Sequence, residues 1–164
     1  MPRPPSVVYT QRATHASPLR KMAEPLDIPS VRILPMSNRI EGFRDRSIED
    51  VQQKLFLGRL RKTGKFHYTS TGLNAPPGAI ILFQFSAHVI ASAVFRFDER
   101  FEEPKDGLAG ALHLEPESIQ VFDPVDAETM RACWPQFTRF GHVKQHLNPG
   151  RYEAFRRKLR NVRP

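Results

Sequence analysis

The chain has 164 residues and carries 25 Lys and Arg against 17 Asp and Glu, which gives a net charge of +8. This length fits one domain with a substantial core. The single cysteine, Cys133, excludes an intrachain disulfide and a cysteine-rich zinc site, and it fits a reducing cytoplasmic compartment. No apolar run is long enough to span a membrane.

Residues 1–30 contain six prolines and little apolar periodicity. This composition is typical of disorder, so we predict a basic, proline-rich tail over 1–30 and one folded domain over 31–164. The domain begins with a short predicted strand at Val31 to Leu34. A helix follows, with Ser47 as its N-cap and its end near Gly58.

The clearest pattern in the chain is a predicted β-hairpin. Ile80 to Phe85 is apolar on both faces, and Val89 to Phe97 alternates apolar and polar residues as a strand buried on one face does. A long loop with a short strand at 65–69 precedes the hairpin. An acidic loop is predicted to follow it over Asp98 to Gly110.

The last third of the chain contains one more strand and two short helices. Ile119 to Phe122 has the composition of a strand, and Asp126 is placed to cap a helix over Ala127 to Cys133. Asn148 and Pro149 then begin a terminal helix, whose outer face is strongly basic.

The net charge is unevenly distributed along the sequence. Residues 31–75 contain nine basic and four acidic residues, and residues 136–164 contain eight and one; residues 76–135 contain four and ten. The two basic segments predict a surface that binds a polyanion. A solvated surface with arginines paired to the central acids explains the same pattern.

Aromatic and basic residues recur in two of these segments. Phe66 and Tyr68 lie before the hairpin, while Trp134 and Arg139 follow the short helix. Flat rings stack on unpaired bases and nearby cations hold phosphates, so the mixture favours nucleotide binding. Trp134 with Phe137 and Phe140, at intervals of three, fits a core face equally well.

Signals for catalysis are weak. Asp98, Glu103 and Lys105 have the composition of a magnesium nuclease site but lie within one predicted loop. The pair His142 and His146 has the spacing of two metal ligands without further partners. Nothing in the sequence requires catalysis, a metal or a cofactor, and a non-catalytic function is favoured.

The hairpin PPGAIILFQFSAHVIASAVFRF, residues 76–97, together with the preceding strand and helix, resembles the PUA-like superfamily, in particular its EVE and ASCH-type members. The resemblance implies an α+β fold built on a small, partly open, mixed β-barrel flanked by helices. It also implies a concave pocket that accepts a nucleobase, often a modified one.

These observations predict a nucleic-acid-binding domain that reads a modified base of DNA or RNA in an aromatic pocket. The predicted nucleobase-binding residues are Phe66, Tyr68, Ser70, Asn74 and Trp134. The predicted phosphate-binding residues are Arg59, Arg61, Lys62, Lys65, Arg139 and Lys144.

Two alternatives remain open. The first is a metal-dependent enzyme on nucleic acid, with Asp98, Glu102, Glu103 and Lys105 as its site. The second is an interaction module of a restriction-modification system, in which the basic helices bind an effector protein.

Overall fold

A computed structural model describes residues 27–36, 45–141 and 146–164. Most of the predicted tail 1–30 lies outside the described residues, and so do Lys144 and His142.

The described residues form strands, helices and two short turns of 3₁₀ helix. The strands are β1 Val31–Pro35, β2 Lys65–Tyr68, β3 Ile80–Phe85, β4 His88–Lys105, β5 Leu108–Leu114, β6 Gln120–Val125 and β7 His146–Leu147. The helices are α1, made of the consecutive segments Ile48–Asp50, Val51–Leu60 and Arg61–Thr63, then α2 Ala127–Cys133 and α3 Tyr152–Lys158. Within these ranges, no helix is both long and apolar enough to cross a membrane.

All seven strands belong to one sheet. Its order is β2-β5-β4-β3-β1-β7, and β6 pairs with β4 beside this path. β1 and β3 are parallel, and the other pairs are antiparallel. The predicted α+β class is confirmed. The seven-stranded sheet is not closed into a barrel, because within the described residues its end strands β2 and β7 do not pair with each other.

The predicted hairpin is confirmed as β3 and β4, and all six residues of β3 are buried. Its turn consists of Ser86 and Ala87, with φ of 53° and 62°. Two central residues with positive φ are the mark of a type I′ turn, whose twist matches that of the flanking strands.

The predicted acidic loop over Asp98 to Gly110 is wrong. β4 continues to Lys105, turns at Asp106 and Gly107, and returns as β5. The side chains of β4 beyond residue 95 are mostly exposed on both faces, so no apolar alternation marks them as a strand.

The cap of α1 is confirmed and its predicted end is wrong. The Ser47 hydroxyl accepts a hydrogen bond from the Asp50 amide at 3.0 Å. The helix continues through Gly58 to Thr63 and ends at Gly64, whose φ is 68°. The middle segment of α1 is π-helical, with a wider turn than an α-helix. Its buried side chains Val51, Leu55 and Leu60 recur every four or five residues, as the wider turn requires.

Two core clusters lie on opposite faces of the sheet. Ile81, Phe83 and Phe85 of β3 join the first core cluster, which α1 covers. Ile80 and Leu82, which alternate with these residues along the strand, join the second core cluster, which α2 and α3 cover. Side chains alternate along a strand, so β3 and β4 serve both clusters.

Candidate functional site

A cleft with a volume of about 320 Å³ opens between α1 and β2. Its charged side chains come from α1 and the residues just before it, and its apolar side chains come from α1, β2 and β5. The floor consists of Val51, Leu55, Phe66 and Leu108; the rim and walls consist of Arg46, Asp50, Lys54, Arg59, His67 and Thr69.

The rim of the cleft is positively charged. The Asp50 carboxylate lies 3.9 Å from Arg46 and 4.0 Å from Lys54, and Arg59 adds a third cation. Both ion pairs are roughly half exposed, and such pairs contribute only about 0–1 kcal/mol. The cations can therefore move from Asp50 to a phosphate at little cost.

His67 presents an uncharged imidazole to the cleft. Its burial, and then the positive charges of Arg59 and Lys65, hold the pKa of His67 below its ordinary value. The neutral ring offers one hydrogen-bond donor and one acceptor. His67 is therefore suited to recognising the edge of a base rather than to adding charge.

The cleft lies along the free edge of β2. Phe66 and His67 are consecutive, so their side chains point to opposite faces of the sheet, yet both line the cleft. In the part of the chain that the structure describes, β2 pairs only with β5. Its other edge thus presents unpaired backbone donors and acceptors to the cleft.

The predicted phosphate-binding residues of α1 and β2 do not all face this cleft. Arg59 lines it, and Lys62 and Lys65 are exposed nearby in sequence. Arg61 is half-buried instead, because its guanidinium donates to the Ile119 carbonyl at 3.3 Å.

Tyr68 is buried, with 9% of its surface exposed. Its hydroxyl donates to Asp98 Oδ1 at 2.7 Å, and the Leu73 amide donates to Asp98 Oδ2 at 3.2 Å. Burial, followed by the hydrogen bond and charge of Asp98, raises the pKa of Tyr68 to about 12. Tyr68 and Asp98 therefore anchor loop 69–79, and Gly72 packs so closely on the Asp98 carboxylate that a Cβ would not fit.

Ser70 and Asn74 are exposed on loop 69–79, and neither lines the cleft. The middle of the loop is held by Arg32, whose guanidinium donates to the Asn74 carbonyl oxygen at 2.9 Å.

Trp134 lies on the other face of the sheet and is 3% exposed. Its indole nitrogen donates to the Asn148 carbonyl oxygen at 2.9 Å, and its ring centroid lies 5.1 Å from that of Phe155. The structure therefore does not bring Tyr68 and Trp134 together as walls of one pocket. Arg139 follows α2 in sequence and is exposed.

The predicted nuclease residues lie on β4, where Asp98 already uses both carboxylate oxygens. Among residues 27–36, 45–141 and 146–164, no group of three or more potential metal ligands is present.

Of the charged residues on the helical side of the cleft, only Arg59 was predicted from sequence. Arg46, Asp50 and Lys54 follow one another at intervals of four, which places charged side chains on one face of a helix. That spacing is visible in the sequence, whereas the participation of His67 depends on the edge position of β2.

Comparison with known proteins identifies the fold. No family model and no curated protein matches the sequence. Among solved structures, the chain is similar to the crystal structure of ASCH from Zymomonas mobilis, with a TM-score of 0.50 and 10% sequence identity. The match covers 79% of this chain and 95% of that one. At this low identity the likeness shows a shared fold alone. The shared fold agrees with the PUA-like fold that the sequence resemblance implies, and it does not distinguish the EVE type.

Proposed function

We propose that the chain binds nucleic acid and holds one unpaired nucleobase in the cleft between α1 and β2. The observation that carries this proposal is the combination of an apolar floor with three cations on the rim, along the free edge of β2. A base pocket is also what the PUA-like resemblance implies.

In the proposed complex the base stacks on Phe66. This ring is fixed from behind by Phe83, whose ring centroid lies 5.2 Å away. Stacking on an aromatic ring contributes about 1–3 kcal/mol per base. The base edge meets His67 and Thr69, and Arg59 and Lys54 contact the adjoining phosphates.

The size of the cleft suits one base rather than a base pair. Pockets for small molecules begin at about 300 Å³, close to the volume of this one. A base in a duplex must therefore leave its stack to enter, whereas a base in a single strand is already accessible.

We further propose that the protein reads a modified base without catalysis, as EVE-type members of the superfamily imply. A methyl group on the base would contact Leu108 or Val51 on the floor, while Ser70, next to Thr69 in sequence, would contact the exposed edge. Lys62 and Lys65 would hold the neighbouring phosphates.

The test measures binding of the full chain to single- and double-stranded DNA and RNA, with and without methylated cytosine or adenine, over a series of salt concentrations. Arg59→Ala is compared with Arg131→Ala, which removes the same charge from α2 on the other face of the sheet. We expect Arg59→Ala to weaken binding to all sequences alike and to reduce the salt slope by about 1, as loss of one phosphate contact does.

The control Arg131→Ala should leave affinity and slope unchanged. The cleft is the wrong site if both variants weaken binding equally. The proposed function is wrong if the wild-type protein binds none of these nucleic acids.

A further inference from the structure

We propose that the outer face of β2, β5 and the C-terminal half of β4 is a stacking platform for the nucleotides that follow the base in the cleft. This inference rests on the proposed function and adds to it a second site for single-stranded nucleic acid.

The strand register defines the platform. Phe66 and Tyr68 point into the first core cluster, so Lys65 and His67 point to the opposite face. Pairing then places Lys65, His113 and Phe97 in one row across the three strands. The next row consists of His67, Ala111 and Glu99.

The centre of the platform is an exposed aromatic stack. Phe97 is 50% exposed, and within the described ranges only Val162 is another large hydrophobic residue with comparable exposure. The Phe97 ring stacks on the His113 imidazole, with ring centroids 4.1 Å apart and planes 14° apart. His113 is held in turn by a hydrogen bond of 2.8 Å from its Nε2 to Glu99. A fixed, flat and exposed ring is what stacking on a base requires.

A second aromatic pair joins the platform to the cleft. The His67 ring lies 6.3 Å from that of Phe101, and His67 also lines the cleft. His67 therefore belongs to both surfaces, because it lines the cleft and lies one row away from Phe97 on the platform.

Charge favours a single nucleic-acid strand as the occupant. Arg59 and Lys65 lie close enough to His67 to lower its pKa, so positive charge is concentrated along the β2 side. On the β4 side, the hydrogen bond with His113 holds the pKa of Glu99 below its usual value, so its carboxylate stays negative and repels phosphates from that side. Phosphates would follow β2, and bases would extend across β5 to Phe97. In a duplex the bases have no free faces for such stacking.

The experiment compares a nucleoside monophosphate, which fills the cleft alone, with a single-stranded oligonucleotide of about ten nucleotides, a length within known site sizes. Phe97→Ala removes the exposed ring, and Val162→Ala is the matched control. We expect Phe97→Ala to weaken oligonucleotide binding about tenfold, within the range for one stacked base, and to leave mononucleotide binding unchanged. Phe97→Tyr should restore the oligonucleotide affinity, and Val162→Ala should change neither.

Three results would overturn the platform. Oligonucleotide binding by Phe97→Ala as tight as that of the wild type overturns the platform alone. Equal weakening of both ligands means that Phe97 acts on the cleft, and it overturns the platform as well. A wild-type chain that binds neither ligand overturns the proposed function, and the platform with it.

Discussion

Tyr68 and Asp98 hold loop 69–79 with hydrogen bonds that use the Tyr68 hydroxyl and both oxygens of the Asp98 carboxylate. A buried hydroxyl without a partner is costly, so this contact fixes the position of Tyr68 and of the loop together. The predicted contact residues Ser70 and Asn74 lie on that loop. Their positions therefore depend on Asp98, although Asp98 itself is outside the cleft.

Asp98→Asn should lower the pKa of Tyr68 from about 12 toward the ordinary value near 10. Burial, the largest cause of the shift, remains in the variant, while the negative charge that opposes ionisation is lost. The raised pKa favours the neutral phenol in the folded chain, so its contribution to stability is complete below about pH 10 and is lost as the pH rises through about 12. The variant should lose this contribution at a lower pH.

The measurement is the ultraviolet absorbance of tyrosinate during an alkaline titration. Tyr68→Phe identifies the part of the curve that belongs to Tyr68, which separates it from Tyr152, whose pKa burial also raises. Superimposable curves for Asp98→Asn and the wild type would contradict the anchoring role of Asp98.

At the scale of elements, glycine conformation decides where α1 ends. Gly58 lies inside the helix, whereas Gly64 has φ of 68° and ends it. From sequence both residues are plausible ends, because Gly58 follows the apolar stretch Leu55 to Leu57 and Gly64 follows basic residues, which favour the last turn of a helix. What distinguishes them is tertiary: Leu60 is fully buried, so the helix must continue past Gly58 to place it in the core.

Gly64→Ala should destabilise the fold more than Gly107→Ala. Both glycines have positive φ, and a side chain in that region costs about 1–2 kcal/mol. A Cβ at Gly64 would in addition lie 2.9 Å from the Leu114 carbonyl oxygen, while nothing lies within 4 Å of a Cβ at Gly107. Denaturant unfolding of the two variants measures the difference, and equal losses of stability would show that only the backbone strain matters.

The β4 and β5 hairpin shows which sequence signal was informative and overlooked. Asp106-Gly107 is a dipeptide typical of type I′ turns, and both residues have positive φ. The apolar run of β3 and the apolar alternation in the first half of β4 were visible in the sequence because the core covers these residues. It could not find the exposed second half, where the turn residues alone indicate a hairpin.

At the scale of the molecule, the aromatic residues of the predicted pocket divide between two faces of one sheet. Arg59 and Phe66 were predicted from sequence and do line the cleft. Trp134 could not be assigned correctly, because its spacing with Phe137 describes a buried face and a binding face equally well. Only the pairing of β1, β3 and β7 places the segment with Trp134 and Phe137 against α3, away from Phe66.

The two core clusters should unfold together, because β3 and β4 contribute side chains to both. Phe56→Leu in the first core cluster removes a ring that packs against Phe83 at 4.9 Å, and a core change of this kind costs about 1–3 kcal/mol. Trp134 is the single tryptophan and lies in the second core cluster, so its fluorescence reports on the opposite face. We expect Phe56→Leu to lower the unfolding midpoint equally by tryptophan fluorescence and by far-ultraviolet circular dichroism.

Phe122→Leu, in the second core cluster, should also move both midpoints together. A fluorescence midpoint that stays in place in Phe56→Leu while the dichroism midpoint falls would mean that the two faces fold separately, and that residues 31–164 do not behave as one domain.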